Sequence, residues 1–578
     1  MKFRRKTALI APAVVIAMTA AACGGSNDSG GGGGGGDSDT RKGGTVVYGF
    51  EGETPVNLSG LIAAGNSTST GYLMVGVIAS PYNIEPDFQY KVNKDMVVGE
   101  PTSTESGGKQ VVVYKINPNA KWSDGQPIGA KDFKYSWEAQ RSSEPSKGGC
   151  AALLSTTGYD QIEAVEGSDN DKTVTVTYSK PYADWKSSFT QQQLLPAHIM
   201  DKGNPKANCD IITKGWPTKD GVPVASGPWQ VEAKNVDIGK KTITLTPNPN
   251  YYGEKPKLDR MVFQNIGNDP GTTVKALKSG EIGIIYPQPQ LDLVKQVKDL
   301  EPNITSKVSF GLSFEHMDFN TRNPLLAQLP VRQAIALAID RPALVSATVG
   351  AFDNRAKPMN NRIFVNNQVD QYKDNSGGKY DKANVAGAKK LLEDAGFTLG
   401  SDGIYAKGGQ KLAFKMMTTV NNPLRANTID VISQQVKAAG IKIEPFLNPD
   451  IFEGKEKPTS LEGGQFDIAL FAWVSGAAWS SNKSIYQSVV GDQQFQNYTH
   501  GNDPKVDSLM NQAVVETDQT KAADLWNQVD TQLWADMFTL PLYQKPTFLA
   551  YTSNLTGIDD NASLYGPLWN ANTFALKK

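Results

Sequence analysis

The most informative segment of this sequence is YKINPNAKWSDGQPIGAKDFKYSWEA, residues 114–139, which begins inside an alternating run of apolar and polar residues. That run, KQVVVYKI at 109–116, has the period of two and the β-branched residues of a half-buried strand. The runs DKTVTVTYS at 171–179 and KKTITLTPN at 240–248 follow the same pattern. The first half of the chain is therefore predicted to be rich in strands.

Helical periodicity appears in the second half, where apolar residues recur every three or four positions. It predicts helices within residues 331–350, 384–397 and 519–537. Asp340 is expected to cap a helix that has a proline in its first turn. A strand-like segment, FTLPLYQKPTFLAY, follows at 538–551. Strands and helices are thus mixed in both halves, which predicts an α/β or α+β fold in several domains.

The length of 578 residues exceeds what one hydrophobic core usually supports, and 39% hydrophobic against 20% charged residues is typical of a folded protein. Basic and acidic residues number 58 and 59. Four of the basic residues, Lys2, Arg4, Arg5 and Lys6, lie in a segment expected to be removed, which leaves 54 against 59 and a net charge of −5. Nucleic acid binding requires clustered basic charge, so we expect no nucleic acid partner.

The first 22 residues, MKFRRKTALIAPAVVIAMTAAA, combine a basic start with an apolar stretch that ends at Ala22. This stretch of about 15 residues is short for a membrane span, which needs about 20, and it predicts a signal peptide for export. Ala20, Ala21 and Ala22 before Cys23 resemble a bacterial lipobox, which implies a diacylated Cys23 at the new N-terminus. Ala20 departs from that pattern, which usually has Leu there, and an ordinary signal peptide with an incidental cysteine is the alternative.

Residues 23–43 contain seven consecutive glycines, from Gly30 to Gly36, and read as a flexible linker. No segment after residue 22 is long and apolar enough to cross a bilayer. The sequence therefore predicts a globular body anchored by lipid to the extracytoplasmic face of a bacterial cell membrane.

Two further cysteines, Cys150 and Cys209, stand in the loop-like segments SKGGCAA and KANCDI. In an exported protein this pair predicts one disulfide that closes a loop of about 60 residues and contributes about 4 kcal/mol through chain entropy. Two unpaired thiols are the alternative.

Residues 114–139 resemble the signature of the large solute-binding proteins of peptide and nickel ABC importers, in which a strand leads to W/F-x-D-G-x-P-x-x-A-x-D and an aromatic helix. The matching residues are Trp122, Asp124, Gly125, Pro127, Ala130, Asp132, Phe133 and Trp137. Further similar segments follow in order through about residues 44–548, among them ASGPWQV, NPNYYGEKPKLDRMVF, GQFDIALFAW and LPLYQKP. Gly283 departs from the family pattern, which often has Asp at that position.

The resemblance implies a class II periplasmic-binding-protein fold with two lobes and an extra domain. Lobe I would combine residues 44–85, 222–308 and 536–578. The inserted extra domain would hold residues 86–221 and lobe III residues 309–535. The chain would then cross between the lobes more than once and form a hinge, and a ligand contacted from both sides only in the closed state would drive closure.

The same resemblance implies the substrate-binding component of an ABC importer, which captures an extracellular oligopeptide between the lobes and delivers it to permease transmembrane subunits. We expect a monomer without a cofactor. No nucleotide is needed in this chain, since the sequence holds no P-loop motif and NDPGTTVK is not one. A receptor for a secreted peptide signal, or a binder of a sugar-like or metal-chelate ligand, is the alternative.

An enzyme is not expected. His198, His316 and His500 are far apart in sequence, and neither H-E-x-x-H, a cysteine pair at metal-ligand spacing nor G-x-S-x-G is present. His198 matches a family position and is interpreted as structural.

The run FAWVSGAAWSSN, residues 471–482, carries two tryptophans and no formal charge. Relatives specialised for free peptides typically have Asp where Gly476 stands here, and often an Arg just before Trp473. The run therefore predicts a site that does not clamp both ends of a short peptide. Trp473 and Trp479 would stack on the ligand, while Ser475, Ser480, Ser481 and Asn482 would form hydrogen bonds. The alternative is that Trp479 is a core or loop anchor and that another loop carries the charge.

Two further residues are candidate ligand contacts. Tyr543 stands where the closing strand of the family reaches the cleft, with a packed strand tyrosine as the alternative. Glu53 lies in the segment FEGETPVNLSG, residues 50–60, where relatives have a ligand-proximal loop, and could meet a ligand cation, with a solvated surface carboxylate as the alternative.

Overall fold

An eleven-stranded mixed sheet forms the centre of the protein in the computed structural model, which describes residues 39–578 except 53, 191, 475, 476 and 492. Near its middle, two long antiparallel strands, Ile304–Phe319 and Thr539–Thr552, lie side by side. In spatial order the strands are Val236–Asp237, Thr242–Pro247, Arg260–Asn265, Thr45–Phe50, Ile284–Ile285, Thr539–Thr552, Ile304–Phe319, Ile468–Val474, Ala413–Thr418 and Lys442–Leu447, with Trp229–Gln230 paired to Thr242–Pro247.

The two long strands connect two parts of the chain, which we call the N-terminal part, residues 41–303, and the C-terminal part, residues 320–538. On one side Thr539–Thr552 pairs with Ile284–Ile285 of the N-terminal part. On the other side Ile304–Phe319 pairs with Ile468–Val474 of the C-terminal part. The chain therefore passes between the two parts through neighbouring strands of one sheet.

A separate four-stranded antiparallel sheet lies in the N-terminal part, in the order Thr102–Ser106, Lys109–Lys115, Thr173–Tyr178 and Ile162–Ser168. The alternating side chains of its two inner strands are buried, as their sequence period requires. The strands predicted at 109–116, 171–179 and 240–248 are thereby confirmed, the last as Thr242–Pro247. The four-stranded sheet falls within residues 86–221, whose boundaries as an inserted domain stay a prediction.

The segment 114–139 begins at the end of the strand Lys109–Lys115 and passes through a turn into the helix Ala130–Gln140. Gly125 has a φ of +91°, a conformation that glycine adopts without strain. The carboxylate of Asp132, in the helix Ala130–Gln140, accepts hydrogen bonds from the backbone N–H groups of Gly129 and Ala197, each 3.0 Å long. Nearby, His198 Nε2 lies 2.9 Å from Asp124 Oδ2. These contacts favour the structural interpretation of His198.

Helices cover the sheets in both parts of the molecule. Those of the N-terminal part are Thr68–Met74, Ala130–Gln140, Ala197–Met200, Pro205–Lys214, Pro270–Ser279 and Leu291–Lys298. Those of the C-terminal part are Leu329–Ala338, Arg341–Ala347, Val385–Asp394, Pro423–Lys437, Lys483–Tyr486, Pro504–Val515 and Gln519–Asp536. The predicted helices are confirmed, and Asp340 accepts a 2.8 Å hydrogen bond from the Ala343 N–H as the expected cap.

Short strands complete the described structure. Tyr82–Ile84 pairs with Tyr90–Val92, and Leu555–Thr556 pairs with Ala575–Lys577. A three-stranded sheet in the C-terminal part consists of Thr398–Leu399, Tyr405–Lys407 and Gln410–Lys411.

A disulfide bond joins Cys150 and Cys209, whose Cα atoms lie 5.1 Å apart. Cys209 lies inside the helix Pro205–Lys214, so the expectation of a loop at this cysteine is wrong. The helix forms because the Asn204 side chain accepts a 2.9 Å hydrogen bond from the Ala207 N–H and because a proline occupies the first turn.

The predicted export and anchoring segment falls largely outside the described residues. Residues 1–38, which include the predicted signal peptide and Cys23, belong to that excluded segment. In the part of the chain that the structure describes, no helix is both long and apolar enough to cross a membrane.

Candidate functional site

A cavity of about 780 Å³, here called the main cavity, is lined by residues of both the N-terminal and the C-terminal part. Its walls are built from the segments that follow parallel strands of the central sheet. In the N-terminal part these strands are Thr45–Phe50, Arg260–Asn265 and Ile284–Ile285. In the C-terminal part they are Ala413–Thr418, Lys442–Leu447 and Ile468–Val474. The carboxyl ends of parallel strands are the usual location of ligand sites in open α/β sheets.

Aromatic side chains form much of the wall of the main cavity. The ring of Trp473 stacks on Tyr498 with centroids 5.8 Å apart, and it lies parallel to the ring of His316 at 5.9 Å. Trp473 Nε1 is buried and has no hydrogen-bond partner among the described residues. The aromatic residues of the wall are Tyr48, Phe50, Tyr72, Tyr90, Tyr159, Tyr182, Tyr286, Phe452, Phe471, Trp473 and Tyr498.

Ser480 also lines the main cavity, but its polar groups are already engaged. Its backbone N–H donates a 2.8 Å hydrogen bond to Asp184 Oδ2, and its hydroxyl lies 2.9 Å from the hydroxyl of Tyr182. Asp184 and Tyr182 belong to the N-terminal part, so Ser480 joins the two sides of the cavity. Ser481 lines the cavity as well and donates to the carbonyl of Ala478.

Three other candidates lie elsewhere. Trp479 meets the ring of Phe364 edge to face at 5.0 Å and lines a second cavity, of about 740 Å³. The side-chain amide of Asn482 donates a 3.0 Å hydrogen bond to the carbonyl of Trp479, which makes this turn a loop anchor. Tyr543 is fully buried within Thr539–Thr552 and is not part of the cavity wall. These placements favour the structural alternatives for Trp479 and Tyr543.

Glu53, Ser475 and Gly476 lie outside the described residues. Their predicted roles at the ligand stay predictions.

Three residues form a buried charge cluster beside the main cavity: Glu315, Arg425 and Lys545. Arg425 Nε lies 2.6 Å from Glu315 Oε1, and Lys545 Nζ lies 3.5 Å from Glu315 Oε2. Burial by itself would raise the pKa of Glu315, but the two cations outweigh it and hold the pKa below its ordinary value. Burial lowers the pKa of Lys545 to about 8, against the attraction of Glu315. Arg425 and Lys545 both line the cavity.

Glu51 is an acidic residue of the cavity wall. One of its oxygens accepts a 2.8 Å hydrogen bond from the Gln288 N–H. Burial raises the pKa of Glu51 to about 7, although this hydrogen bond and Lys545 both act in the opposite direction. Its charge therefore changes near neutral pH.

The charged groups of the wall were missed from the sequence. The run 471–482 is uncharged, and Arg425 and Lys545, which bring charge to the cavity, lie on a helix and a strand and not on another loop, which the alternative interpretation had expected. Glu315 and Lys545 each interrupt an otherwise apolar strand, SFEHMDF and PLYQKPTF. A charge inside a buried strand requires a partner, and this was the available signal.

The histidines do not come together. His316 is fully buried among aromatic rings, and His500 Nε2 lies 2.7 Å from Gln494 Oε1. Burial lowers the pKa of His500 to about 4. Within the described ranges, no group of three or more His, Cys, Asp or Glu side chains is placed to hold a metal ion.

Residues 98–497 match the family described as bacterial extracellular solute-binding proteins, family 5 (middle region). The chain belongs to this family. The fold of this family 5 protein is accordingly that of a class II periplasmic binding protein. The main cavity lies between its N-terminal and C-terminal parts, which both line it.

Several relatives and solved structures are similar to this family 5 protein over most of its length. The oligopeptide-binding protein OppA of Mycobacterium tuberculosis (strain H37Rv) is 30% identical over 517 residues, which cover 88% of this chain and 82% of that protein. The structure of the periplasmic EDTA-binding protein EppA has a TM-score of 0.81 and 27% identity, covering 94% of this chain and 98% of that one. The oligopeptide-binding protein AppA of Bacillus subtilis, in complex with a nonapeptide, has a TM-score of 0.77 with 93% and 100% coverage; its 20% identity shows the fold alone.

Proposed function

We propose that this protein captures a peptide in the main cavity and delivers it to the permease of an ABC importer. The observation that carries the proposal is the cavity itself, whose walls come from both the N-terminal and the C-terminal part and include eleven aromatic side chains. Its volume of about 780 Å³ lies within the range of roughly 300–1,000 Å³ common for small-molecule sites. The similarity to OppA of Mycobacterium tuberculosis, which is named as an oligopeptide-binding protein, supports the same ligand class.

The wall suits ligands of varied sequence. Aromatic rings give a large contact area without demanding one side-chain shape, and hydroxyl and amide groups between them can bind a peptide backbone. Hydroxyl or amide side chains on the wall include Thr157, Thr190, Gln193, Asn422 and Gln496. The buried Nε1 of Trp473 is a further donor that lacks a partner among the described residues.

Hydrogen bonds across the cavity support capture by closure. Ser480 bonds to Asp184 and Tyr182, and the side-chain amide of Asn268 donates a 3.0 Å hydrogen bond to the carbonyl of Asn421. Such bonds form only when the two sides approach each other. A ligand that contacts both walls would therefore favour this closed arrangement over an open one.

The proposal includes a lipid anchor at Cys23, a monomeric state and the permease as partner. Anchoring is expected to keep the binding protein beside the transporter. Cys23→Ala is expected to move the protein from the membrane fraction to the medium or the soluble exported fraction, as measured by fractionation and immunoblot. A C23A protein that stays membrane-bound like the wild type would contradict the anchor.

Native mass spectrometry of the purified protein tests the ligand class. The mass before and after denaturation weighs whatever the cavity carries, and fragmentation identifies it. We expect the released molecules to fragment as peptides. A glycan, lipid or metal chelate in their place would contradict the peptide ligand, as would an empty protein that binds no member of a peptide panel.

A further inference from the structure

Two buried cations share one buried carboxylate at the wall of the main cavity. Arg425 is well satisfied, because its Nε lies 2.6 Å from Glu315 and one of its terminal nitrogens donates a 3.1 Å hydrogen bond to Thr419 Oγ1. Lys545 has fewer contacts. Its ammonium lies 3.5 Å from Glu315, which is its one salt-bridge partner within the described ranges, and its side chain is only 6% exposed. The cluster of Glu315, Arg425 and Lys545 therefore carries one positive charge more than its own carboxylate can match.

We propose that the ammonium of Lys545, with Arg425 beside it, forms a subsite for a carboxylate group of the ligand, which rests on the proposed function of the cavity as a peptide site. A buried ammonium with an incomplete partner is costly, and a carboxylate entering the cavity would complete its contacts. Such a charge-assisted hydrogen bond is also short and strong. The carboxylate can be the C-terminus of a peptide or an acidic side chain.

The neighbouring groups give this subsite a defined dependence on pH. Glu51, Glu315 and Arg425 act on Lys545 from three other segments, and His316 and Tyr543 stand beside Glu315. The pKa of Glu51 is about 7 and that of Lys545 is about 8. Below pH 7 Glu51 is neutral. Glu51 and the charge cluster of Glu315, Arg425 and Lys545 then carry a net charge of +1. Above pH 8 Glu51 is ionised and Lys545 is neutral, so affinity for a carboxylate falls as pH rises from 6 to 9.

Isothermal titration calorimetry with three matched pentapeptides tests the subsite. The first peptide has a free C-terminal carboxylate, the second is its C-terminal amide, and the third is that amide with an internal glutamine replaced by glutamate. Binding of the first peptide in preference to the second identifies the C-terminus as the source of the carboxylate. Binding of the third in preference to the second identifies an acidic side chain.

Lys545→Met removes the charge and keeps the length of the side chain. It is expected to weaken binding of the carboxylate peptide by about tenfold or more and to leave the neutral amide within about twofold. Lys545→Arg is expected to restore the preference. Lys186→Met is the matched control, because Lys186 lines the second cavity and not the main one. Thermal melting without ligand establishes that each variant is folded.

Equal binding of all three peptides by the wild type would overturn the subsite while the proposed peptide function stands. An equal loss in Lys545→Met and Lys186→Met would also overturn it, since general electrostatics would then explain the preference. If no peptide binds, the proposed function fails, and glutarate decides the subsite on its own. A rise in melting temperature with glutarate in the wild type but not in Lys545→Met would support the subsite, and no rise in either would overturn it.

Discussion

The two cavities of this protein have almost the same volume, about 780 and 740 Å³, but different walls. The main cavity is lined by buried aromatic rings and by the buried cations Arg425 and Lys545. The second cavity is lined largely by polar groups that water already reaches, among them Asp87, Glu105 and Asp370.

The difference leads us to expect the ligand in the main cavity and not in the second, although their volumes are alike. Groups that are already hydrated gain little from a ligand, because the ligand only replaces water. Buried rings gain from apolar contacts, and an incompletely paired buried charge gains from a ligand group of opposite charge.

The largest effect is expected from Glu315→Gln. The substitution leaves Arg425 and Lys545 buried without their counter-charge, and breaking a buried ion pair in this way costs about 3–5 kcal/mol of unfolding free energy. Glu105→Gln, in the wall of the second cavity, is the matched control and is expected to cost less than about 0.5 kcal/mol. Urea denaturation measures both. Equal losses in the two variants would remove the energetic distinction between the cavities.

A pH-dependent effect is expected from Glu51→Gln. The pKa of Glu51 is about 7 in the folded protein and 4.5 as its ordinary value. Between these values the unfolded chain is ionised while the folded protein holds the proton, so the stability that Glu51 contributes is lost as pH rises from 4.5 to 7. The variant should match the wild type near pH 4 and exceed it at pH 7.5 by up to about 3 kcal/mol.

Urea denaturation across pH 4–7.5 tests this prediction, and Lys545, whose pKa is about 8, stays mostly protonated over this range. Glu105→Gln again serves as the control. Parallel pH profiles for the wild type and Glu51→Gln would show that Glu51 does not titrate within this range.

The smallest of these effects concerns the two tryptophans. Trp473→Ala is expected to weaken peptide binding by about 2 kcal/mol, roughly thirtyfold, because it removes a central aromatic wall of the main cavity. Trp479→Ala is expected to change affinity by less than about twofold, since Trp479 packs on Phe364 outside that cavity. Calorimetric titration with one peptide measures both. A larger loss for Trp479→Ala would place the ligand in the second cavity.

The same two tryptophans mark how far the sequence could predict the site. Trp473 stands in a local apolar run, and the strand Ile468–Val474 that carries it follows from that run and from the family resemblance. Trp479 stands only six residues later and looks equivalent in sequence. Its position depends on contact with Phe364, which belongs to a distant segment, and no local pattern indicates that contact.

The charge cluster was missed for a related reason. Glu315 and Arg425 are 110 residues apart and meet only because the sheet brings their segments together. Lys545 reaches the same place because Tyr543 pairs with Glu315 across the long strands, and a residue two positions further points to the same face. The strands and helices were predictable because their patterns are local, and the cluster was not because it is formed by the tertiary fold.

The order in which the central sheet is translated has a consequence for how the protein folds. Thr539–Thr552 lies between Ile284–Ile285 and Ile304–Phe319, yet the ribosome makes it after every other strand of that sheet. Until it emerges, Ile304–Phe319 has an unpaired edge, and such edges invite association with other chains. The sheet and the cavity wall that contains Lys545 are therefore complete only once this last strand is in place.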